Sequence, residues 1–340
     1  MTGSIDLPPK ASAGTFSDMM YSAFCVKAVY PPKELSLAGQ TAIVTGSNSG
    51  LGLTCSRMLL AQNLSRLIMP VRSVEKGEAA AEELRKNHPA ATVEVWTLDM
   101  ASYKSVQAFA ERCSALDRID YVILNSGIAK QTFDLSPEGH EESLQVNYIS
   151  TALLAILLLP VLKARKPTER AARMTIVSSG TSFIAKFPQH DKPSIFAALD
   201  DPETFDFADR YSTTKLLGHH FMAKFVGHVR REDVVVDLVE PGLCKGTGLH
   251  RHTNAVVRAA FGMMKAVTGR SPEEGAAAYI DAAVLKGPEA HGCYVQDWAI
   301  HPFANFLYTP EGRAATEKLW DETLKELDFA GVRSILGLAQ

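Results

Sequence analysis

The chain has 340 residues, 46% of them hydrophobic and 21% charged, with a formal net charge of -3 at pH 7. That length accommodates one large α/β domain or two smaller ones and is enough to bury a substantial core. The absence of a basic excess argues against a nucleic-acid partner. Cys25, Cys55, Cys113, Cys244 and Cys293 are odd in number, widely spaced and form no CxxC pair. A reducing compartment, and so a cytoplasmic location, is expected instead of a disulfide framework. His219-His220 and His250-x-His252 lack an acidic or thiol partner at ligand spacing; they read as surface or lid residues, and no metal site is expected.

In chain order, "TFSDMMYSAFCVKAVYPP" places Phe16, Met19, Met20, Ala23 and Phe24 at helical spacing before Pro31-Pro32. The reading is a short helix in an N-terminal extension, residues 1–36, packed on the body of the protein. No basic n-region precedes an apolar run, which argues against a secretory signal, and no flanking Lys/Arg cluster supports membrane contact. From residue 41 onward, strand-like runs at 41–45, 66–71, 92–98, 120–125, 173–179, 233–240 and 292–298 alternate with helical patterns at 50–62, 73–87, 102–114 and 139–163 and in the segment carrying Tyr211. Alternation of this kind predicts one doubly wound parallel sheet of Rossmann type, with helices on both faces, over residues 37–300. The apolar run 151–164 contains Pro160 and is too short to cross a bilayer, so it reads as a buried core or interface helix. Ser271, Pro272, Glu273 and Glu274 form a helix start, and "TPEGRAATEKLWDETLKEL" opens another capped helix in a C-terminal extension, 301–340.

Three places in this frame carry chemistry. Between the first strand and its helix lies "TGSNSGLG", with Gly46, Gly50 and Gly52 spaced as G-x-x-x-G-x-G. A glycine turn there lets a dinucleotide pyrophosphate approach the helix amides, and Ser47, Asn48 and Leu51 share the same turn. The second strand ends in "MPVRSVEK", where an acidic residue would hold the ribose of NAD. Arg72 stands there instead and suits the 2′-phosphate of NADP, so NADP(H) is the expected cofactor. Finally, Tyr211 and Lys215 are four residues apart, on one helical face, where an ammonium charge would pull the phenol below its free value of about 10.

With these motifs assembled, the chain resembles the short-chain dehydrogenase/reductase superfamily over roughly residues 37–300. The resemblance rests on Thr45 to Gly52, Asp99 after the third strand, the turn Asn125-Ser126-Gly127 after the fourth, Asn147 in "LQVNYIS", "IVSSG", Tyr211/Lys215 and the Pro241-Gly242 turn. It implies a catalytic set of Asn147, Ser179, Tyr211 and Lys215, with the second serine of the strand-end pair chosen over Ser178. It also implies that Asp99, Asn125, Ser126, Gly127, Tyr211, Lys215, Pro241 and Gly242 contribute to cofactor binding. More narrowly, "SNSGLG", "VRSVEKGEAA" and the acidic insertion before Tyr211 are similar to the retinol-dehydrogenase-like branch and to fungal reductases of polyketide and other secondary-metabolite pathways. A reductase acting on a carbonyl of a bulky hydrophobic metabolite is the implied function. Oxidation of the alcohol, isomerisation or dehydration on the same scaffold, and a cofactor-binding regulator without turnover are the alternatives. The 151–164 and Tyr211 helices could form a homodimer interface, as in many relatives.

Two departures from the family pattern stand out. The gap from Ser179 to Tyr211 is long, and its insertion, residues 180–210, carries Asp191, Asp200, Asp201, Glu203, Asp206 and Asp209, expected as a solvated face. Phe183, Phe187, Ile195 and Phe196 in the same insertion are expected toward substrate. After Pro241-Gly242, Gly246 takes the slot where the family places a hydroxyl residue, and Thr247 follows one later as the candidate contact. Residues 243–270 then read as a lid shaping the substrate pocket, with Phe261, Met263 and Met264 toward substrate.

Overall fold

The structure is a computed structural model that describes residues 3–246 and 266–339. Thr247, His250, His252, Phe261, Met263 and Met264 lie outside the described residues. Among those described, the chain forms α1 (Phe16–Phe24), β1 (Thr41–Val44), α2 (Gly50–Ala61), β2 (Arg66–Val71), α3 (Val74–Asn87), β3 (Thr92–Thr97), α4 (Tyr103–Cys113) and β4 (Tyr121–Leu124). Then follow α5 (Ser150–Arg165), β5 (Ala172–Val177), α6 (Phe207–Phe225), β6 (Val234–Val239), α7 (Pro272–Ile280), β7 (Cys293–Gln296), β8 (Ala299–His301) and α8 (Pro310–Glu326), with short helical turns between. The strands make one sheet in the order β3-β2-β1-β4-β5-β6-β7-β8. Neighbours are parallel except the β7/β8 pair.

This is the doubly wound sheet read from the alternating pattern. Strand side chains alternate between its faces. Ile43, Ile68, Val122, Met174 and Val236 face the layer built from α4, α5 and α6. Their neighbours Ala42, Val44, Leu67, Met69 and Ile123 face the layer of α2, α3 and α7. The order reverses between β1 and β4, which opens a crevice at the carboxyl ends of the strands.

Four readings of the chain are corrected by packing. The run 292–298 is not one strand: it turns at Asp297 and Trp298, both with positive φ (52° and 59°), into the antiparallel β8. Two successive left-handed residues make the tight hairpin turn that matches strand twist. The apolar residues of the insertion do not turn toward a pocket: Phe187, Ile195 and Phe196 are buried in the core, and Phe183 packs on His219 and Tyr294. Nor are its acids uniformly solvated. Asp209 is buried, accepting from the Lys186 amide at 2.9 Å and the Thr213 hydroxyl at 2.8 Å, and Asp200 pairs with His140 at 2.7 Å. His219 and His220 are likewise buried, not on a surface or lid.

The C-terminal extension explains much of this. Leu319, Trp320 and Leu324 of α8, with Val332 and Leu336 beyond it, join Phe221 and Phe225 of α6 in one core cluster. The His220 Nδ1 lies 2.6 Å from the Thr316 hydroxyl of α8. α5 is apolar all round and buried along most of its length, as expected of a helix enclosed on every side. The outer face of α6, offered above to a second subunit, is thus covered by the chain's own C-terminal extension. At the other end, Ser4 donates its amide to Gly292 and accepts from the Tyr294 amide. α1 itself has no buried residue, and Phe16, Met19, Tyr21 and Phe24 are exposed, contrary to the expected packing.

Candidate active site

The glycine turn after β1 and the turn after β4 meet at the reversal of strand order. Thr45 fastens them: its Oγ1 accepts from the amides of Asn125 (2.9 Å) and Ser126 (3.0 Å), and its carbonyl accepts from Asn125 Nδ2 at 2.8 Å. Asn125 Oδ1 in turn accepts from the Tyr279 hydroxyl of α7 at 3.0 Å. The Asn125 side chain is therefore spent on holding the two turns together. Thr45 opens the motif read from the sequence, whereas Tyr279 is a part of the site that sequence reasoning missed.

The turn is shaped for close approach. Gly46 has φ +66°, and a Cβ on Gly52 would stand 2.6 Å from Asn125 Nδ2 and 2.9 Å from the Gly46 carbonyl. α2 begins at Gly50 with Ser49 as N-cap and no side-chain bond to the first amides, which leaves the helix N-terminus available to an anion. Ser47 is fully buried, and its hydroxyl finds no hydrogen-bond partner among the described residues. An orphaned buried hydroxyl in a glycine cradle at a helix start fits a dinucleotide phosphate. Gly275 on α7 brings this region together, since a Cβ there would lie 2.4 Å from Cys244 Sγ and 2.9 Å from Leu51 Cδ2.

Around the rim, Asp99 is half-buried and its Oδ1 accepts from the Ala101 amide at 3.0 Å. Arg72 is exposed at the end of β2, with no hydrogen bond or ion pair among the described residues; Ser73 caps α3. The Pro241-Gly242 turn follows β6, and a Cβ on Gly242 (φ +81°) would meet Arg270 Nη1 at 2.7 Å.

The four candidate catalytic side chains come together at the ends of β4, β5 and α6. Asn147 lies in a π-helical turn, Gln145–Ile149, of the kind that often marks functional positions. Its Oδ1 accepts from the Ile128 amide at 2.8 Å, and its Nδ2 donates to the Ile128 carbonyl (2.8 Å) and to Thr214 Oγ1 (3.0 Å). A Cβ on Gly127 would be 3.3 Å from Asn147 Oδ1 and 3.6 Å from Lys215 Nζ, so both groups face this turn. Lys215 Nζ donates to the Val177 carbonyl at 2.8 Å and stands 5.8 Å from the Tyr211 ring centroid. A cavity of about 20 Å³, lined in part by Asn147, Ser178, Thr214 and Lys215, is large enough for one water.

The two serines at the end of β5 have separate partners. Ser179 draws the Tyr211 phenol down, and its Oγ accepts from the Thr181 amide at 3.3 Å and hydroxyl at 3.1 Å, whereas Ser178 is buried 3.0 Å from His219 Nε2. The His219 Nδ1 accepts from the Ala304 amide at 3.2 Å, so its proton sits on Nε2 and points at Ser178 and Ser182. Burial pushes His219 down to about 3, which keeps it neutral.

Burial also governs the Tyr/Lys pair. It pushes Tyr211 up to about 12, the Ser179 hydrogen bond working the other way and the Glu240 carboxylate adding to the rise. The same desolvation brings Lys215 down to about 8. The lowering of the phenol by Lys215 expected from the sequence is not what sets its value: burial raises the phenol, and Ser179 is the group that draws it down.

Comparison with known proteins places the chain in a family. The short chain dehydrogenase model matches residues 40–189. A short chain dehydrogenase/reductase, mfmJ, from the fungus Annulohypoxylon moriforme is 45% identical over 99% of this chain and 98% of its own. Among solved structures, an uncharacterized protein from Mycobacterium paratuberculosis superposes with a TM-score of 0.64 at 22% identity, covering 89% of this chain and 98% of that one. An NAD(P)-dependent gluconate 5-dehydrogenase assignment from Beutenbergia cavernae, solved with bound NADP at low occupancy, gives 0.57 at 20% identity over 77% and 96%. The chain belongs to the short-chain dehydrogenase/reductase family. It is accordingly an oxidoreductase of a family that uses nicotinamide dinucleotides and acts on small molecules.

Proposed function

We propose that this protein is an NADP-dependent reductase of a carbonyl group on a bulky hydrophobic metabolite, of the polyketide or related secondary-metabolite kind. The observation that carries the reading is the convergence of Ser179 on the Tyr211 phenol, with Lys215 and Asn147 beside them and the glycine cradle at the sheet's reversal point. When bound, the dinucleotide supplies the hydride. Its phosphates would be held by the turn of Gly46, Ser47, Asn48, Gly50, Leu51 and Gly52, with Asp99, the 125–127 turn and the Pro241-Gly242 turn around it. Arg72, exposed and unpaired among the described residues where an NAD-binding acid would stand, supports NADP, as does the NADP in the Beutenbergia structure.

The Ser179 hydroxyl orients and polarises the substrate carbonyl, a hydrogen bond that strengthens as negative charge grows on the oxygen. Tyr211 gives its phenolic proton to that oxygen. Lys215 holds positive charge beside the phenolate that results, and a water in the cavity beside Asn147 would carry the replacement proton inward. The metabolite class is supported by the resemblance of the glycine turn, the Arg72 segment and the insertion to fungal reductases of such pathways.

The test is a parallel titration of NADPH and NADH, repeated for Arg72→Glu, followed by a panel of bulky aromatic and aliphatic ketones with NADPH oxidation as readout and Tyr211→Phe as control. NADPH preference that collapses in Arg72→Glu, with turnover lost in Tyr211→Phe and binding kept, is the expected result. Equal affinity for both nucleotides would overturn the cofactor reading. A panel without Tyr211-dependent oxidation of NADPH would overturn the reductase.

A further inference from the structure

Glu240 follows β6 directly and precedes the Pro241-Gly242 turn. Its side chain is buried, and Oε1 stands 3.1 Å from where a Cβ on Gly180 would be. Any side chain at 180 would press on this carboxylate. The carboxylate thus abuts the residue after Ser179 from the position just before the turn that follows β6, and the Gly180 and Gly242 amides draw its pKa down. Its other oxygen, Oε2, is buried without a hydrogen-bond partner among the described residues.

The surroundings are charged and well anchored. Arg270 donates to the Pro241 carbonyl at 3.3 Å, pairs with Asp297, reaches the Ser22 hydroxyl of α1 at 3.2 Å and lies 4.8 Å over the Trp298 ring. Among the described residues, the titratable groups whose charge couples to Glu240 are Arg270, Asp297 of the β7/β8 turn, Tyr211 of α6, Tyr279 of α7 and Tyr294 of β7.

We propose that Glu240 is a positioning residue for the Ser179–Tyr211 pair: its carboxylate abuts the residue after Ser179, and its charge sets how readily the Tyr211 phenol releases a proton. The inference rests on the reductase reading of the site.

Burial is the main force on the carboxyl, Arg270 draws it down, Asp297 pushes it up and the two amides draw it down; the balance puts it up to about 7. Ionised Glu240 raises the Tyr211 phenol further and makes it a weaker donor. Neutral Glu240 removes that opposition. Reduction should therefore slow as Glu240 ionises through neutral pH.

Two measurements test this. The first is a ¹³C titration of the full chain labelled at the glutamate carboxyl carbon, from about pH 5 to about pH 9, where free glutamate has already ionised. One resonance should titrate near neutrality and be missing in Glu240→Gln. The second is the pH profile of kcat for NADPH oxidation with an aromatic ketone found active in the panel. The wild type should lose rate several-fold across neutrality, Glu240→Gln should lose that fall, and Glu240→Asp should restore it in part, with NADPH affinity unchanged within about threefold in all three, well under the 1.4 kcal/mol of a tenfold change.

A Glu240 carbon that remains fully ionised throughout, or a Glu240→Gln profile identical to the wild type, would overturn the proposal. If Glu240→Gln fails to fold, the wild-type resonance and the Glu240→Asp profile still decide it. Failure of the reductase reading shows differently, as NADPH oxidation that is absent or independent of Tyr211, and leaves the ¹³C titration to judge the buried carboxyl by itself.

Discussion

His140 should make the stability of this protein fall on the alkaline side of neutrality. Its ring is mostly buried, with Nδ1 2.7 Å from Asp200 and Nε2 3.2 Å from Glu326, and Glu326 also accepts from the Tyr103 hydroxyl at 2.9 Å. Burial works against the charged ring, but the hydrogen bonds and charges of Asp200 and Glu326 outweigh it and raise His140 from 6.5 to about 9. Because the folded protein holds this proton more tightly than the unfolded chain, the stabilisation is fully present below about pH 6.5 and is lost as pH rises through about 9. At 1.36 kcal/mol per pH unit, the difference between those two values is worth about 3 kcal/mol. The assay is urea unfolding followed by circular dichroism at about pH 6 and about pH 9.5, on either side of the folded value, for wild type and His140→Gln. Groups common to both proteins cancel in the comparison. The wild type should lose about 3 kcal/mol more than the variant between the two conditions. Equal losses would show that the cluster does not hold its proton as argued, and that Asp200 does not pin the insertion to α8 through a charged ring.

Two predictions concern the nucleotide cradle. Gly52→Ala places a methyl 2.6 Å from Asn125 Nδ2 and 2.9 Å from the Gly46 carbonyl, so NADPH affinity should fall at least about tenfold, or 1.4 kcal/mol, with the circular dichroism spectrum kept. Unchanged affinity in a fluorescence titration would mean that the turn does not meet the phosphates. Tyr279→Phe leaves the half-buried Asn125 Oδ1 without its donor and should cost about 1 kcal/mol in thermal unfolding, with weaker NADPH binding as well. A variant as stable as wild type would show that Thr45 alone holds the two turns.

The sheet and the position of the crevice were legible in the sequence because they depend on local pattern. Apolar runs set strands that are buried on both faces, crossover helices force parallel pairing, and the glycine spacing follows from how near two backbones come. The choice of Ser179 over Ser178 came from resemblance, and the structure supplies a geometric reason, since His219 occupies Ser178. What escaped the sequence depends on contacts between distant residues. His219 and His220 lack ligand partners nearby and so looked superficial, but Ala304 and Thr316 of the C-terminal extension bury them. Phe187, Ile195 and Phe196 carry no sign of whether they face the core or a cleft, and α8 decides it. Arg270 and Tyr279 look like ordinary residues at the start and end of a capped helix until Asp297 and Asn125 are seen beside them. For Glu240 a signal existed: an acid at the end of a strand buried over its whole length must either be paired or shift its pKa.

The same burial that protects the site biases the direction of its chemistry. A phenol held up to about 12 stays protonated through neutral pH and is a weak acid toward water, yet it still transfers its proton downhill to a developing alkoxide, which is far more basic than a phenolate. Oxidation needs the opposite state, a phenolate ready to accept, and at neutral pH that state is scarce. A lysine brought down to about 8 remains mostly charged at pH 7 and supports the phenolate only after the proton has left. Ser179 lowers the cost of that phenolate, whereas ionised Glu240 raises it, so reduction should outrun oxidation most clearly at slightly acidic pH. Forward and reverse rates in the same Tyr211-dependent assay decide the point, and a faster oxidation at pH below neutrality would remove the basis for reading the buried phenol as a donor.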